Sequence, residues 1–127
     1  MLLLTGLTAA LLILDENRQE LRKLALTDAL TGIYNRHGFD KHVTVYMKKY
    51  PEKHCVGVQF DIDDFKLIND IYGHASGDKA LQILAESMRK FFPDHAVLGR
   101  NGGDEFCIFL PDCTCKEAEE KLVQFTK

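Results

Sequence analysis

Positive charge is in short supply in this sequence. Sixteen Lys and Arg residues stand against nineteen Asp and Glu, leaving a formal net charge of −3 over 127 residues and a pI near 5.9. Without a basic field to hold a nucleic-acid backbone, binding of a polynucleotide is not expected, and a phosphate-bearing partner should be a small molecule brought in with a cation. Metal-binding cysteine patterns are also lacking. Cys55, Cys107, Cys113 and Cys115, together with the five histidines, form no zinc spacing, so the thiols read as reduced packing residues of a cytosolic domain. No apolar run is long enough to cross a bilayer: the opening MLLLTGLTAALLIL falls short of the ~20 residues a spanning helix needs. Repeats and low-complexity tracts are absent. The 46% hydrophobic and 28% charged composition is that of one globular domain.

The apolar start is preceded by no Lys or Arg and followed by Arg18, Arg22 and Lys23, which favours a cytoplasmic downstream chain over a signal peptide, with attachment to the inner face of the membrane left open. Leu7, Ala10, Leu14, Asn17, Leu21 and Leu24 recur in alternating steps of three and four. This is the seam of a two-stranded coiled coil, or equally one face of an amphipathic helix packed on its own domain. Residues 1–26 are therefore expected to form a membrane-proximal helical stalk, and 27–127 the folded domain.

LTDALTGIYNRHGF breaks the helical period with residues that cap helices or turn, and reads as a structured wide turn. A helix is predicted from Arg36 to Tyr50, with Phe39, Val43 and Met47 returning every four residues until Pro51. CVGVQFDID reads as a central strand whose carboxyl end opens onto a site. A short helix over Phe65–Tyr72 follows, then a break at GHASGD and a longer helix ended by Pro93. AVLGR and FCIFL, joined through a double glycine, predict a β-hairpin with its acids at the tip. Thr114 and Glu117 form a capping box before a last helix running to Lys127. The fold class is α/β, with helices covering an antiparallel or mixed sheet.

Asp61, Asp63 and Asp64 crowd the end of the first strand, and Asp104 with Glu105 crowd the hairpin tip. If strand and hairpin are sheet neighbours, the two acid groups meet and their repulsion calls for a cation. Hard oxygen donors suit magnesium, with manganese as the alternative, and such ions can polarise a phosphoryl group. Carboxylates at loop ends more often only face water; a second acid pair on a double-glycine turn weighs against that reading. Lys66 and Asn69, three residues apart, share a helix face beside the acids. The lysine offers a point charge for phosphate and the amide can read a base edge. Asp78 is either a partner for a helix N-terminus or a carboxylate acceptor for the N–H groups of guanine. Phe60, Phe65, Phe106 and Phe109 read as core, and Tyr72 as cover for the short helix.

DALTGIYNR, FDIDDFKLINDIYGHASGD and GRNGGDEFCIFL, in this order between Asp28 and Leu110, resemble the three motifs of the GGDEF family of diguanylate cyclase domains. The resemblance implies a palm-like core of the ferredoxin and nucleotide-cyclase kind behind an N-terminal helix. It also implies condensation of two GTP molecules into cyclic di-GMP with release of two pyrophosphates, in a homodimer whose half-sites meet. Carried over by position, Asp61, the Ile62 carbonyl and Asp104 would hold magnesium, with Glu105 as a further acidic partner. Asp104 would also help deprotonate the ribose 3′-hydroxyl, and Lys66 would stabilise charge on the phosphates. Asn69, His74 and Asp78 would position the nucleotide, Asn69 and Asp78 reading guanine, and Gly102 and Gly103 would let the triphosphate approach the hairpin backbone.

Family members continue beyond the last helix with further strands, a helix and basic residues that grip the triphosphate. The resemblance thus implies a domain incomplete at its C-terminus, and a catalytically inactive GTP-binding or dimerising signalling module is the alternative to the enzyme. The family's Arg-x-x-Asp inhibitory site falls at Pro93-Asp94-His95-Ala96 here, with neither Arg nor Asp in place. Titration of cyclic di-GMP followed by calorimetry should therefore show no tight complex on this surface; an arginine-dependent one would refute the expectation.

Overall fold

The computed structural model describes the backbone of residues 2–127 and the side chains of residues 5–127, so the first residues of the apolar opening stretch lie outside the described side chains. Eight elements follow one another: α1 (Leu2–Leu26), α2 (Arg36–Lys49), β1 (Cys55–Asp61), α3 (Phe65–Tyr72), α4 (His74–Phe91), β2 (Val97–Gly102), β3 (Glu105–Pro111) and α5 (Cys115–Phe125). The three strands form an antiparallel sheet in the order β1-β3-β2. This is the expected α/β arrangement of helices on a sheet. The expectation of a central first strand needs correcting: among the described residues β3 is central and β1 lies at an edge. Their side chains show the difference, since β3 is buried from Phe106 to Pro111 whereas β1 alternates between half-buried and exposed.

Alternation along β3 divides the core between two faces. Phe106, Ile108 and Leu110 are buried among Leu81, Ala85 and Met88 of α4 and Ala118 of α5. Cys107 and Phe109 point the other way, towards α2, where Tyr46 meets Phe109 edge-on at 5.5 Å. A Cβ on Gly99 would come within 2.9 Å of Phe39, so the α2 side is as closely fitted as the α4 side. The inner face of α2 is formed by Phe39, His42, Val43 and Tyr46, while Met47 is half exposed. A strict four-residue step drifts around a helix of 3.6 residues per turn, which is why Met47 leaves the face that Phe39 begins.

Helix boundaries follow local chemistry. Asn35 caps α2 by accepting the Gly38 N–H at 2.8 Å, and Thr114 caps α5 by accepting the Glu117 N–H while its hydroxyl donates to the Glu117 carboxylate. α4 starts at His74, on Gly73 as its cap, so GHASGD is a break only at its glycine. Asp78 stands beyond the first turn of α4, too deep for the helix-end partner that the sequence allowed.

α1 does not pack on its own domain. Its residues from Thr5 to Ala25 are exposed, Leu7, Leu14, Leu21 and Leu24 among them, and only its base is tied down. There the wide turn closes: Asp28 N–H donates to the Ile33 carbonyl at 2.7 Å, Asn35 N–H to Leu26 at 2.9 Å, and Tyr34 N–H reaches across to Leu98 of β2. Asp28 accepts from both the backbone and the hydroxyl of Thr31 and pairs with Arg100 of β2, the two Arg100 contacts being 3.0 and 3.1 Å long. Both side chains of that pair are largely withdrawn from water, 13% and 17% exposed. Among the described helices none is long and apolar enough to cross a membrane.

Two outcomes test this packing. Phe106→Ala, at a site with no exposure, should cost about 3–5 kcal/mol in a denaturant titration. Burial raises the Asp28 pKa, but the Thr31 and Arg100 bonds outweigh it and hold the carboxyl below its ordinary 3.8. The stabilisation from a depressed carboxyl is present above the ordinary value and lost as pH falls through the folded one. Asp28→Asn should therefore flatten the decline of Tm on the acid side of pH 4; an unchanged acid limb would show that the pair is not titrating there.

Candidate functional site

The site begins where β1 ends. Antiparallel register sets Asp61 directly opposite Glu105, with Phe60 opposite Phe106 one step back. The Phe60 and Phe106 rings stack at 5.8 Å and fix that register from the core side, so the next pair, two carboxylates, must share the other face. Like charges directly across a ladder are destabilising by themselves. Asp61 and Glu105, with Gln59 and Phe60, line an open cleft of about 290 Å³. Asp104 stands in the adjoining turn, half-buried.

That turn is made by glycine. Gly102 and Gly103 have φ of +122° and +53°, and neither would place a Cβ near another atom. The demand at both positions is thus for left-handed backbone rather than for space. The β2–β3 register slips between Arg100 and Gly102, a bulge of the kind that re-aims a strand end. Across it the Arg100 Nε–H donates to the Gly103 carbonyl at 2.9 Å.

Asp64 turns the chain from β1 into α3 at φ +57°, a conformation that Asp tolerates better than most residues. The two helices that follow pack on each other at one point: a Cβ on Gly77 would collide with the Asn69 amide oxygen and lie 3.3 Å from the Phe65 ring. Gly77 is required there because the Asn69 side chain lies on its backbone. Half-buried Asn69 is thereby set one residue from exposed Asp78. Lys66 is exposed in the first turn of α3, and His74 is exposed at the first position of α4.

The structure thus brings the predicted residues into two groups, the facing carboxylates with the glycine turn, and the Asn69–Gly77–Asp78 contact. Phe106 and Phe109 are buried and Phe60 and Phe65 half-buried, but Tyr72 is 70% exposed and covers nothing. Sequence pattern marks Asp28 only as a residue of the wide turn and assigns no role to Gly77 or Arg100. Their sequence signal is only a type, an acid, a glycine and a base far apart, and their partners appear when the chain folds.

All donors at the strand-end corner are oxygen atoms, which is the chemistry magnesium takes. Among the described residues no three His, Cys, Asp or Glu side chains are gathered closely enough to hold a metal by themselves. A cation here could be held by carboxylates of Asp61, Asp104 or Glu105 and the Ile62 carbonyl only with oxygens of water or phosphate completing its shell. That division suits an ion that normally keeps such positions open.

The sequence profile described as Diguanylate cyclase, GGDEF domain, matches residues 25–126. The chain is 37% identical over 111 residues to Diguanylate cyclase DgcP of Pseudomonas aeruginosa, covering 84% of this chain and 16% of that protein. It is 39% identical over 103 residues to Cyclic di-GMP phosphodiesterase NbdA of the same organism, covering 80% of this chain and 13% of that one. The chain therefore spans less than a fifth of the length of either curated relative. The crystal structure of the coiled coil and GGDEF domain of DgcB from Caulobacter crescentus, in complex with c-di-GMP, superposes with a TM-score of 0.86 at 29% identity, over 96% of this chain and 65% of that one. Motifs, fold and kinship agree, and the chain belongs to the GGDEF domain family, with the palm-like fold of that family.

Proposed function

We propose that this chain acts as a diguanylate cyclase domain that condenses two GTP molecules into cyclic di-GMP and two pyrophosphates, working as a homodimer joined through α1. The observation that carries the reading is the ladder pair Asp61–Glu105 beside the Asp104 turn. Two facing carboxylates at a strand end are held at an energetic cost unless a cation offsets them. Magnesium bound there would polarise the α-phosphate and acidify the attacking 3′-hydroxyl.

The chain's own residues take the following parts. Asp61, the Ile62 carbonyl and Asp104, with Glu105 beside them, would hold the cation, and Asp104 would accept the proton of the ribose 3′-hydroxyl. Lys66, exposed in the first turn of α3, places its ammonium on the phosphates, where charge shifts as the bond to the α-phosphorus changes. Asn69, held on Gly77, and Asp78 present an amide and a carboxylate to the guanine edge, while His74 borders the nucleotide from the start of α4. Gly102 and Gly103 leave the hairpin backbone open to the triphosphate. The Leu7, Leu14, Leu21 seam on exposed α1 brings two such domains together, and the structural neighbour crystallised with its coiled coil supports that part. GTP as substrate places the domain in the cytoplasm.

A second reading is a module that binds GTP or dimerises without turnover. It is favoured by the kinship to a protein named for a different activity, Cyclic di-GMP phosphodiesterase NbdA. Incubation with GTP and magnesium, with release of pyrophosphate and formation of cyclic di-GMP followed by chromatography, separates the two. Under the enzymatic reading Asp104→Ala should lower turnover by about 10²- to 10⁴-fold, the usual contribution of a positioned general base. No turnover by the unmodified chain, with GTP raising Tm, would select the second reading. Asp78→Ala should weaken GTP by about 1.5–3 kcal/mol, the worth of a hydrogen bond to a charged group, and leave ATP unaffected; equal loss for both nucleotides would remove guanine reading from Asp78.

A further inference from the structure

Arg100 has more donors engaged than the neutralisation of Asp28 requires. Its Nη1 pairs with the half-buried Asp28 carboxylate in the wide turn, and its Nε–H is spent separately on the Gly103 carbonyl at the hairpin tip. Its backbone N–H donates to the Tyr34 carbonyl, so main chain and side chain tie β2 to the same turn. That turn in turn holds the end of α1: the Asn35 amide donates to Ala25 at 2.9 Å, Asn35 N–H to Leu26, and Thr27 N–H to Lys23. Leu7, Leu14 and Leu21 repeat every seven residues along α1, and seven residues on from Leu21 stands Asp28. The residue that anchors Arg100 thus falls on the same seven-residue spacing in the sequence, two positions past the end of α1.

We propose that Arg100 is a positioning residue that fixes the Gly102–Glu105 tip to the base of α1, so that the direction of the stalk and the placement of the tip carboxylates form one rigid relation. The inference rests on the reading of the tip as the cation and nucleotide site. Two features of the tip make a strut necessary. Consecutive glycines with positive φ have the least intrinsic stiffness the backbone offers, and the bulge between Arg100 and Gly102 interrupts the ladder where it would otherwise hold the turn. The planar guanidinium can bond in two directions at once, to the turn below and the tip above; a lysine ammonium supplies the charge without that fork. A dimer formed by α1 would then present its two tips in a fixed mutual orientation through one side chain per domain.

The test uses the ¹⁵N-labelled 127-residue chain and two variants, Arg100→Lys and Asp28→Asn, with amide relaxation as the readout. In the unmodified chain Gly102, Gly103 and Asp104 should relax with an order parameter near 0.85, as rigid backbone does, falling towards 0.6 in Arg100→Lys while the amides of Phe106, Ile108 and Leu110 keep their values. Asp28→Asn, which leaves the Gly103 contact in place but weakens its anchor, should loosen the same three amides. If the unmodified chain turns GTP over, Arg100→Lys should lower kcat about tenfold or more with KM within about twofold, since the tip acts on the transition state rather than on uniform binding. Tip amides that stay rigid in both variants, or that lose order only in step with β3, would overturn the proposal and leave Arg100 as packing for Asp28. Absence of GTP binding by the unmodified chain would sink the functional reading instead, and the relaxation data would still decide the strut.

Discussion

The antiparallel ladder between β1 and β3 is the constraint on which the rest depends. Its register is fixed by the stacked Phe60 and Phe106 rings and by Val58 opposite Ile108, residues that cannot slip by one position without turning the core face of a strand to water. Once the apolar pairs are fixed, Asp61 and Glu105 have no choice but to face each other. The core thus sets the geometry of the polar site, because the hydrophobic burial of β3 is large and the repulsion at the exposed strand end is small beside it.

Around that ladder the chain uses close contact instead of charge to place its remaining groups. Asn69 is set by lying on the bare backbone of Gly77, which couples α3 to α4 and puts an amide next to Asp78. Lys66 is left exposed at the surface, in the first turn of α3. The tip itself is held from two sides, through β3 by the ladder and through Arg100 by the wide turn. α1 stands apart from this economy: Leu7, Leu14, Leu21 and Leu24 are exposed and contribute nothing to the core of their own domain, which is the condition for a helix that packs on another chain.

Element types and their order were legible in the sequence because they rest on local chemistry. The long helix α4 ends just before its proline, the hairpin is marked by two apolar runs about a double glycine, and α5 by Thr114 and Glu117. The three motifs were legible for the same reason, each being continuous in the chain. Sequence overreached where a neighbour decides. Met47 matched a four-residue step but lies outside the inner face of α2, and GHASGD looked like a loop although the packing of Gly77 on Asn69 lets α4 begin at His74.

By itself, then, the order of residues determined which segments become helix or strand, where the acids and glycines cluster, and to which family the chain belongs. Only the tertiary structure decided that β3 is central among the described strands, that Asp61 faces Glu105, that α1 from Thr5 to Ala25 stays off the core of its own domain, and that Asp28 and Arg100, 72 positions apart, meet largely withdrawn from water. The physical reason is range. Period, capping and turn chemistry act within a few residues, whereas register, burial and ion pairing depend on which distant surfaces the core brings together.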